Sequence, residues 1–293
     1  MRWVEIAIQA APASVDAASN VLIEEGCGGT VIGPDPPGLV TGYLPVDDRL
    51  EERLESIRSR IASFADYGLK LQSDDLTVRW IADEQWATAW KKHFKPVRIG
   101  RVVVKPTWEP WPRDPSTSSE CSEIVVEIDP GMAFGTGYHP TTQLCLLAAQ
   151  DIIKGGEAAL DVGTGSGVLA IAAAKLGARS VVGLDIDSVA VEVAEANVRQ
   201  AGLSDRIVIR QADSPSAFDG QADVVFANII AKVLIDMAGA LAEKVKIGGK
   251  VVASGIVTER ASGVTEAFDS VGLRVVEERT DGDWVALVCE RAA

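Results

Sequence analysis

The stretch Leu160-Asp161-Val162-Gly163-Thr164-Gly165-Ser166-Gly167 sits where the apolar strand pattern Ala158–Val162 hands over to a helix. Glycines at such a turn let a ligand approach the backbone, and the helix N-terminus that follows favours anionic groups. The spacing Gly165-x-Gly167-x-x-Ala170 satisfies a loosened dinucleotide pattern, so a nicotinamide cofactor is one reading. Two details point elsewhere. Asp161 precedes the first glycine by two residues, where its carboxylate faces the ligand cleft. That is awkward beside a pyrophosphate and reasonable beside an amine or sulfonium. Gly163, Gly165 and Gly167 also alternate, as they often do in S-adenosylmethionine sites. Asp185 ends the next strand, 22 residues after Gly163, where a carboxylate accepts hydrogen bonds from ribose hydroxyls in either cofactor family.

Working outward, strands and helices alternate from Glu123 to the end. The strand patterns are Glu123–Ile128, Ala158–Val162, Ser180–Leu184, Ile207–Arg210, Val224–Ala227, Lys250–Ser254, Arg274–Glu278 and Trp284–Cys289. Ser188–Gln200 and Ile229–Lys244 read as helices. This alternation predicts a mostly parallel sheet with helices on both faces. The gap Thr280-Asp281-Gly282-Asp283 permits a hairpin but no crossover, so one edge strand is expected to run antiparallel. Asn228-Ile229-Ile230-Ala231 follows a strand, and the carboxyl end of a parallel strand faces the ligand crevice. The Asn228 carbonyl oxygen can accept a hydrogen bond from a substrate amine; its plainer role is to cap a helix starting at Ile229.

The first 75 residues form a smaller alternating unit: strand Trp3–Ile8, helix Ala13–Glu25, strands Gly29–Ile32 and Leu39–Leu44, helix Asp47–Tyr67, and a last strand beginning at Leu69–Leu71. The order β-α-β-β-α-β is that of a ferredoxin-like split βαβ. A short linker helix then carries Trp86, Trp90 and Phe94 on one face. Arg98–Lys105 reads as a strand, and the Pro- and Ser-rich stretch Thr107–Glu120 as a long loop. The expected division is a ferredoxin-like domain over 1–80, a linker helix over 81–96 and a larger α/β domain over 97–293.

Composition bounds the function. The 293 residues are 47% apolar and 24% charged, which excludes wholesale disorder. A net charge of −14 disfavours a nucleic-acid partner and suits a basic substrate. No apolar run approaches the roughly 18 residues of a membrane helix, and Glu5 interrupts any signal-like start. Cys27, Cys121, Cys145 and Cys289 lie far apart, so zinc-site and disulfide-framework readings fail, no metal is expected, and a cytoplasmic setting fits.

The most distinctive stretch is Asp129-Pro130-Gly131-Met132-Ala133-Phe134-Gly135-Thr136-Gly137-Tyr138-His139-Pro140-Thr141-Thr142. It concentrates three glycines, two prolines, two aromatics and one of the chain's two histidines between a strand and a helix. So elaborate a connection is seldom only a turn, although Thr141 or Thr142 can cap the next helix. It resembles the signature loop of the bacterial ribosomal protein L11 methyltransferases. The glycine loop, Asp185 and Asn228-Ile229-Ile230-Ala231 follow in that family's order, and the resemblance covers essentially the whole chain. It implies an N-terminal substrate-recognition domain, a linker helix and a Rossmann-like, seven-stranded methyltransferase domain. It also implies S-adenosylmethionine as cofactor and ribosomal protein L11 as partner, methylated on lysine side chains or its N-terminal amine. Thr142, Gly163, Asp185 and Asn228 match the family's cofactor-contacting positions, with Phe134 and nearby glycines lining the pocket. Tyr138 departs from the small hydroxyl residue more usual there. The competing readings are a methyltransferase of RNA or a small molecule, a nicotinamide-dependent dehydrogenase, and a non-catalytic scaffold.

Overall fold

The structure, a computed structural model, describes residues 3–27, 29–33, 37–46, 49–67, 69–72, 76–81, 94–111, 123–129, 135 and 137–292. The chain divides into two compact units, Met1–Lys95 and Pro96–Ala293. The expected linker helix with Trp86 and Trp90, the Phe134 position and most of the Thr107–Glu120 loop lie outside the described residues.

In the first unit the chain runs β1 (Trp3–Gln9), α1 (Val15–Glu24), β2 (Thr30–Gly33), β3 (Leu39–Pro45), α2 (Leu50–Ala62) and β4 (Thr77–Ile81). The sheet order is β2-β3-β1-β4 and every pair is antiparallel, as a split βαβ requires. Strict alternation along β1 buries Val4, Ile6 and Ile8 against Ala18, Val21 and Leu22 of α1 and Ile57 and Ile61 of α2. The fourth strand differs from expectation. Leu71 makes one isolated bridge to Ala10, and the strand that pairs along β1 is Thr77–Ile81.

The second unit opens with β5 (Val97–Ile99), β6 (Val102–Pro106) and β7 (Ile124–Ile128), a separate three-stranded sheet. The stretch read as one strand, Arg98–Lys105, is thus two strands of a hairpin, and β7 does not join the main sheet. There follow α3 (Pro140–Ile152), β8 (Ala158–Val162), α4 (Val168–Leu176), β9 (Ser180–Asp185), α5 (Ser188–Gln200), β10 (Ile207–Gln211) and β11 (Ala222–Asn228). The chain ends with α6 (Ala231–Asp236), α7 (Ala238–Lys244), β12 (Val245–Val257), α8 (Ala261–Asp269), β13 (Leu273–Asp281) and β14 (Trp284–Arg291). The helix expected over Ile229–Lys244 is therefore two, parted at Met237.

The seven-stranded order is β10-β9-β8-β11-β12-β14-β13. From β8 the chain winds outward through β9 to β10, then restarts at β11 on the other side, so the topological switch lies between β8 and β11. Ligands bind at the carboxyl ends of strands at such a point. The antiparallel strand is β14, inserted between β12 and the true edge strand β13, rather than an edge strand itself. The hairpin was foreseeable, but nothing local says on which side of its partner a returning strand inserts. Apolar layers cover both faces. Val224 and Phe226 of β11 join Leu146 and Ile171 on one side, while Val225 and Ala227 join Phe268 and Leu287 on the other. Each such large side chain contributes about 1.5–3 kcal/mol, so the carboxyl ends of β8 and β11 stand on a stiff platform.

Candidate active site

Asp161 and Asn228 occupy the carboxyl ends of the two switch-point strands. Asp161 is fully buried. Its Oδ2 accepts a hydrogen bond from the Thr164 hydroxyl at 2.7 Å, while Oδ1 is buried without a partner. Burial pushes its carboxyl up to about 7, helped by the Asp185 charge and opposed by the Thr164 hydroxyl. The Asn228 amide nitrogen donates to Thr142 Oγ1 at 3.2 Å, and its Oδ1 is likewise buried and unpartnered. Asn228 does not cap a helix: α6 starts at Ala231 behind Ile230, with no side-chain cap. Nor does Thr142 cap α3. That position belongs to His139, whose Nδ1 accepts the Thr141 N–H, while Thr142 is fully buried beneath Asn228.

The glycine loop is pinned between these residues. Gly163 and Thr164 both donate their N–H groups to the Leu184 carbonyl, at 2.8 and 2.9 Å. Gly163 has φ +74, and a Cβ there would stand 2.5 Å from Ile229 Cγ2. Both its backbone conformation and the close approach of Ile229 demand glycine. Gly165 donates its N–H to Asp185 Oδ2 at 2.9 Å, and Asp187 N–H reaches Asp185 Oδ1 at 3.1 Å. Asp185 is half-buried. A carboxylate has about four lone-pair sites, so both oxygens can still accept from a diol.

A buried amide absent from the sequence reading ties the two loops together. Asn197 on α5 accepts the Asp129 N–H at 2.8 Å and donates to the carbonyls of Asp129 and Ser166 at 3.0 and 2.9 Å. The Ser166 hydroxyl then donates to the Gly135 carbonyl at 2.7 Å. A signal existed: Ala190, Ala194, Asn197 and Val198 form the buried stripe of α5, and a polar group on such a stripe must be bonded to something. His139, the one local candidate for a base, meets Trp284 edge-on at 4.7 Å and holds its Nδ1 2.7 Å from the Thr141 hydroxyl.

The donor set suits a cation flanked by a diol. Two unpartnered acceptor oxygens, one on the Asp161 carboxyl and one on the Asn228 amide, stand at the switch point, with Asp185 one strand further. A sulfonium with an α-ammonium and a ribose answers each of these, whereas a pyrophosphate would meet Asp161 with like charge. Among the described residues no group of three His, Cys, Asp or Glu is placed to hold a metal ion.

Comparison with known proteins agrees with this chemistry. A family model described as ribosomal protein L11 methyltransferase (PrmA) matches residues 2–292. The ribosomal protein L11 methyltransferase of Desulforamulus reducens is 38% identical over 316 aligned positions, covering 99% of each chain. That of Bacillus cytotoxicus is 36% identical over 318 positions and the full length of both. A crystal structure of ribosomal protein L11 methylase from Lactobacillus delbrueckii subsp. bulgaricus matches with a TM-score of 0.62 and 30% identity, covering 68% of this chain and all of that one. Fold, switch-point chemistry and full-length likeness converge: this chain belongs to the ribosomal protein L11 methyltransferase family.

Proposed function

We propose that this chain methylates lysine ε-amines and the N-terminal α-amine of ribosomal protein L11, with Asn228 positioning the amine that attacks the methyl group. Family membership carries the coarser part, S-adenosylmethionine-dependent methylation of ribosomal protein L11. When bound, the cofactor supplies an electrophilic methyl carbon, transferred as an N–C bond forms and the S–C bond breaks. Asp185 would accept from the ribose hydroxyls, Asp161 would face the cationic part, and Gly163, Gly165, Thr142 and Asn228 would shape the pocket, with Phe134 lining it.

The observation that carries the amine reading is the unpartnered, buried Asn228 Oδ1. An orphaned buried acceptor costs about 1–3 kcal/mol, a cost recovered when an N–H arrives to pair with it. The Thr142 contact fixes the other end of the amide, so the oxygen is aimed before the substrate binds. Only a neutral amine can attack. At pH 7 roughly 0.04% of free lysine is neutral, against roughly 10–15% of an α-amine. An amide is no base, so Asn228 orients the neutral amine and the departing proton goes to water.

The first unit supplies recognition in this reading. The first 70 residues hold 11 acidic against six basic side chains, a field that draws a basic protein. A ribosomal-protein substrate also suits a cytoplasmic setting. Among the described residues no helix is long and apolar enough to cross a membrane.

The test is Asn228→Ala assayed on whole ribosomal protein L11, with mass spectrometry reading which amines gain methyl groups. Turnover should fall at least about a hundredfold, and cofactor affinity far less. Wild-type turnover, or label on groups other than amines, would overturn the reading.

A further inference from the structure

The carboxyl end of β11 rests on an irregularity in its neighbour. β12 and β14 pair regularly from Lys250↔Glu290 to Ala253↔Leu287, and resume at Ile256↔Val285. The register shifts between Ala253 and Ile256, so Ser254 and Gly255 form a bulge. Bulges re-aim the backbone beside them, and this one faces Asn228, which pairs with Ser254 across the parallel ladder.

Three contacts show how the bulge is used. The fully buried Ser254 hydroxyl donates to the Val285 carbonyl at 2.9 Å, holding the bulge onto β14. The Ser254 carbonyl accepts the Ile229 N–H at 3.0 Å, the last backbone tie before the chain leaves the sheet. Gly255 has φ +82, and a Cβ there would stand 2.5, 2.8 and 3.1 Å from the carbonyl oxygen, carbonyl carbon and nitrogen of Ile229. The Ile229 backbone therefore packs closely on Gly255, while its side chain packs closely on Gly163. Ile229 is wedged between the bulge and the glycine loop, and the residue directly before it is Asn228. Any side chain at 255 must push backbone rather than a flexible side-chain tip.

We propose that Ser254 and Gly255 are positioning residues for methyl transfer: the β12 bulge sets, through the Ile229 backbone, where Asn228 holds the amine. This rests on the reading of Asn228 given above. Neither residue touches the reacting atoms. Their effect is on aim, and a displacement of about 1 Å at a reacting centre can cost about a hundredfold in rate.

The experiment uses the full-length chain with ribosomal protein L11 and S-adenosylmethionine. Gly255→Ala and Ser254→Ala are made alone and in an Asn228→Ala background, with kcat, KM, cofactor affinity by calorimetry and thermal melting measured for each. Gly255→Ala should lower kcat about tenfold to a hundredfold, with cofactor Kd changed less than about threefold. Ser254→Ala should lower kcat by a smaller factor in the same pattern, and it serves alone should Gly255→Ala fail to fold. In the Asn228→Ala background each loss should shrink below about twofold, because the residue being aimed is gone. Wild-type kcat in the foldable single variants overturns the inference and leaves Asn228 standing. Undiminished losses in the Asn228→Ala background also overturn it, since the bulge would then act on something else. Wild-type turnover by Asn228→Ala itself overturns the reading of Asn228, and this inference with it.

Discussion

The two units of this chain bury polar groups on opposite terms. In the first, polar atoms near the sheet find partners within the unit: Tyr43 donates to Glu5 at 3.1 Å, Arg79 lies 3.8 Å from the same carboxylate, and the buried Ser14 hydroxyl accepts the Lys70 N–H at 2.9 Å. In the second, the described side chains include two buried oxygens with no partner, on Asp161 and Asn228. Both stand at the same end of neighbouring strands. Leaving one acceptor unpaired costs about 1–3 kcal/mol, a large fraction of a domain's stability. A fold accommodates such a cost where a ligand later supplies the missing donors. Among the described residues, these two unpartnered oxygens thus belong to the second unit and to the carboxyl ends of its switch-point strands.

That contrast can be broken most dramatically by separating the units. A chain of residues 96–293 should bind S-adenosylmethionine nearly as well as the whole protein, because every proposed cofactor position lies in it, yet lose methylation of folded ribosomal protein L11. Calorimetry and a label-transfer assay read the two halves of this expectation. A truncated chain that methylates the whole ribosomal protein efficiently would put recognition in the catalytic unit and dissolve the division of labour.

A smaller effect sharpens the contrast within the catalytic unit. Asp185 differs from Asp161 in having both oxygens engaged, by the N–H groups of Gly165 and Asp187. Removing it should cost charge-assisted bonds worth about 1.5–3 kcal/mol, so Asp185→Ala should weaken cofactor binding at least about tenfold. Asp185→Asn keeps one acceptor and should lose less. An unchanged dissociation constant in Asp185→Ala would remove Asp185 from the cofactor site.

Much of this was legible from residues that act locally. The strands of the main sheet announce themselves as Val-, Ala- and Leu-rich runs ending in glycine or an acidic residue, as Ala158–Val162 and Ser180–Asp185 do. Gly163, Asp185 and Asn228 declare themselves by standing at the ends of such runs. What failed was long-range. The pattern Ile124–Ile128 cannot say which sheet it joins, and Trp284–Arg291 cannot say that it inserts inside Leu273–Asp281. Asn197 reaches Asp129 across 68 positions and Ser166 across 31, so no window around it reveals its partners. The fourth strand of the first unit is obscured in the sequence for a different reason. Thr77-Val78-Arg79-Trp80-Ile81 does alternate, but the apolar Leu69–Leu71 came first and makes only a bridge. Full-length likeness to the L11 methyltransferases disposes of the dehydrogenase and RNA-methyltransferase readings.

A last test addresses the buried Asp161 carboxyl directly, through pH. Its carboxyl is raised from 3.8 to about 7, chiefly by burial, with the Asp185 charge adding and the Thr164 hydroxyl opposing. Between these values the folded protein holds a proton that the unfolded chain has released. Its contribution to stability is therefore fully present below about pH 3.8 and is lost as the pH rises toward 7, with a slope of at most about 1.4 kcal/mol per pH unit. Above that window the loss is complete and the profile flattens. Asp161→Asn has no proton to lose, so its melting temperature should fall less between pH 5 and pH 7 than that of the parent chain. At pH 8 the variant should melt higher, and at pH 4.5 it should hold no advantage. The same buried charge predicts linkage to a cationic ligand. A sulfonium or ammonium beside Asp161 favours the ionised form, so cofactor binding near pH 6 should release a proton from the parent chain and none from Asp161→Asn. Calorimetry in two buffers of different ionisation enthalpy measures that proton. Melting curves that run parallel for the two chains across pH 5–8, or equal proton release from both, would mean that Asp161 is ionised before any ligand arrives.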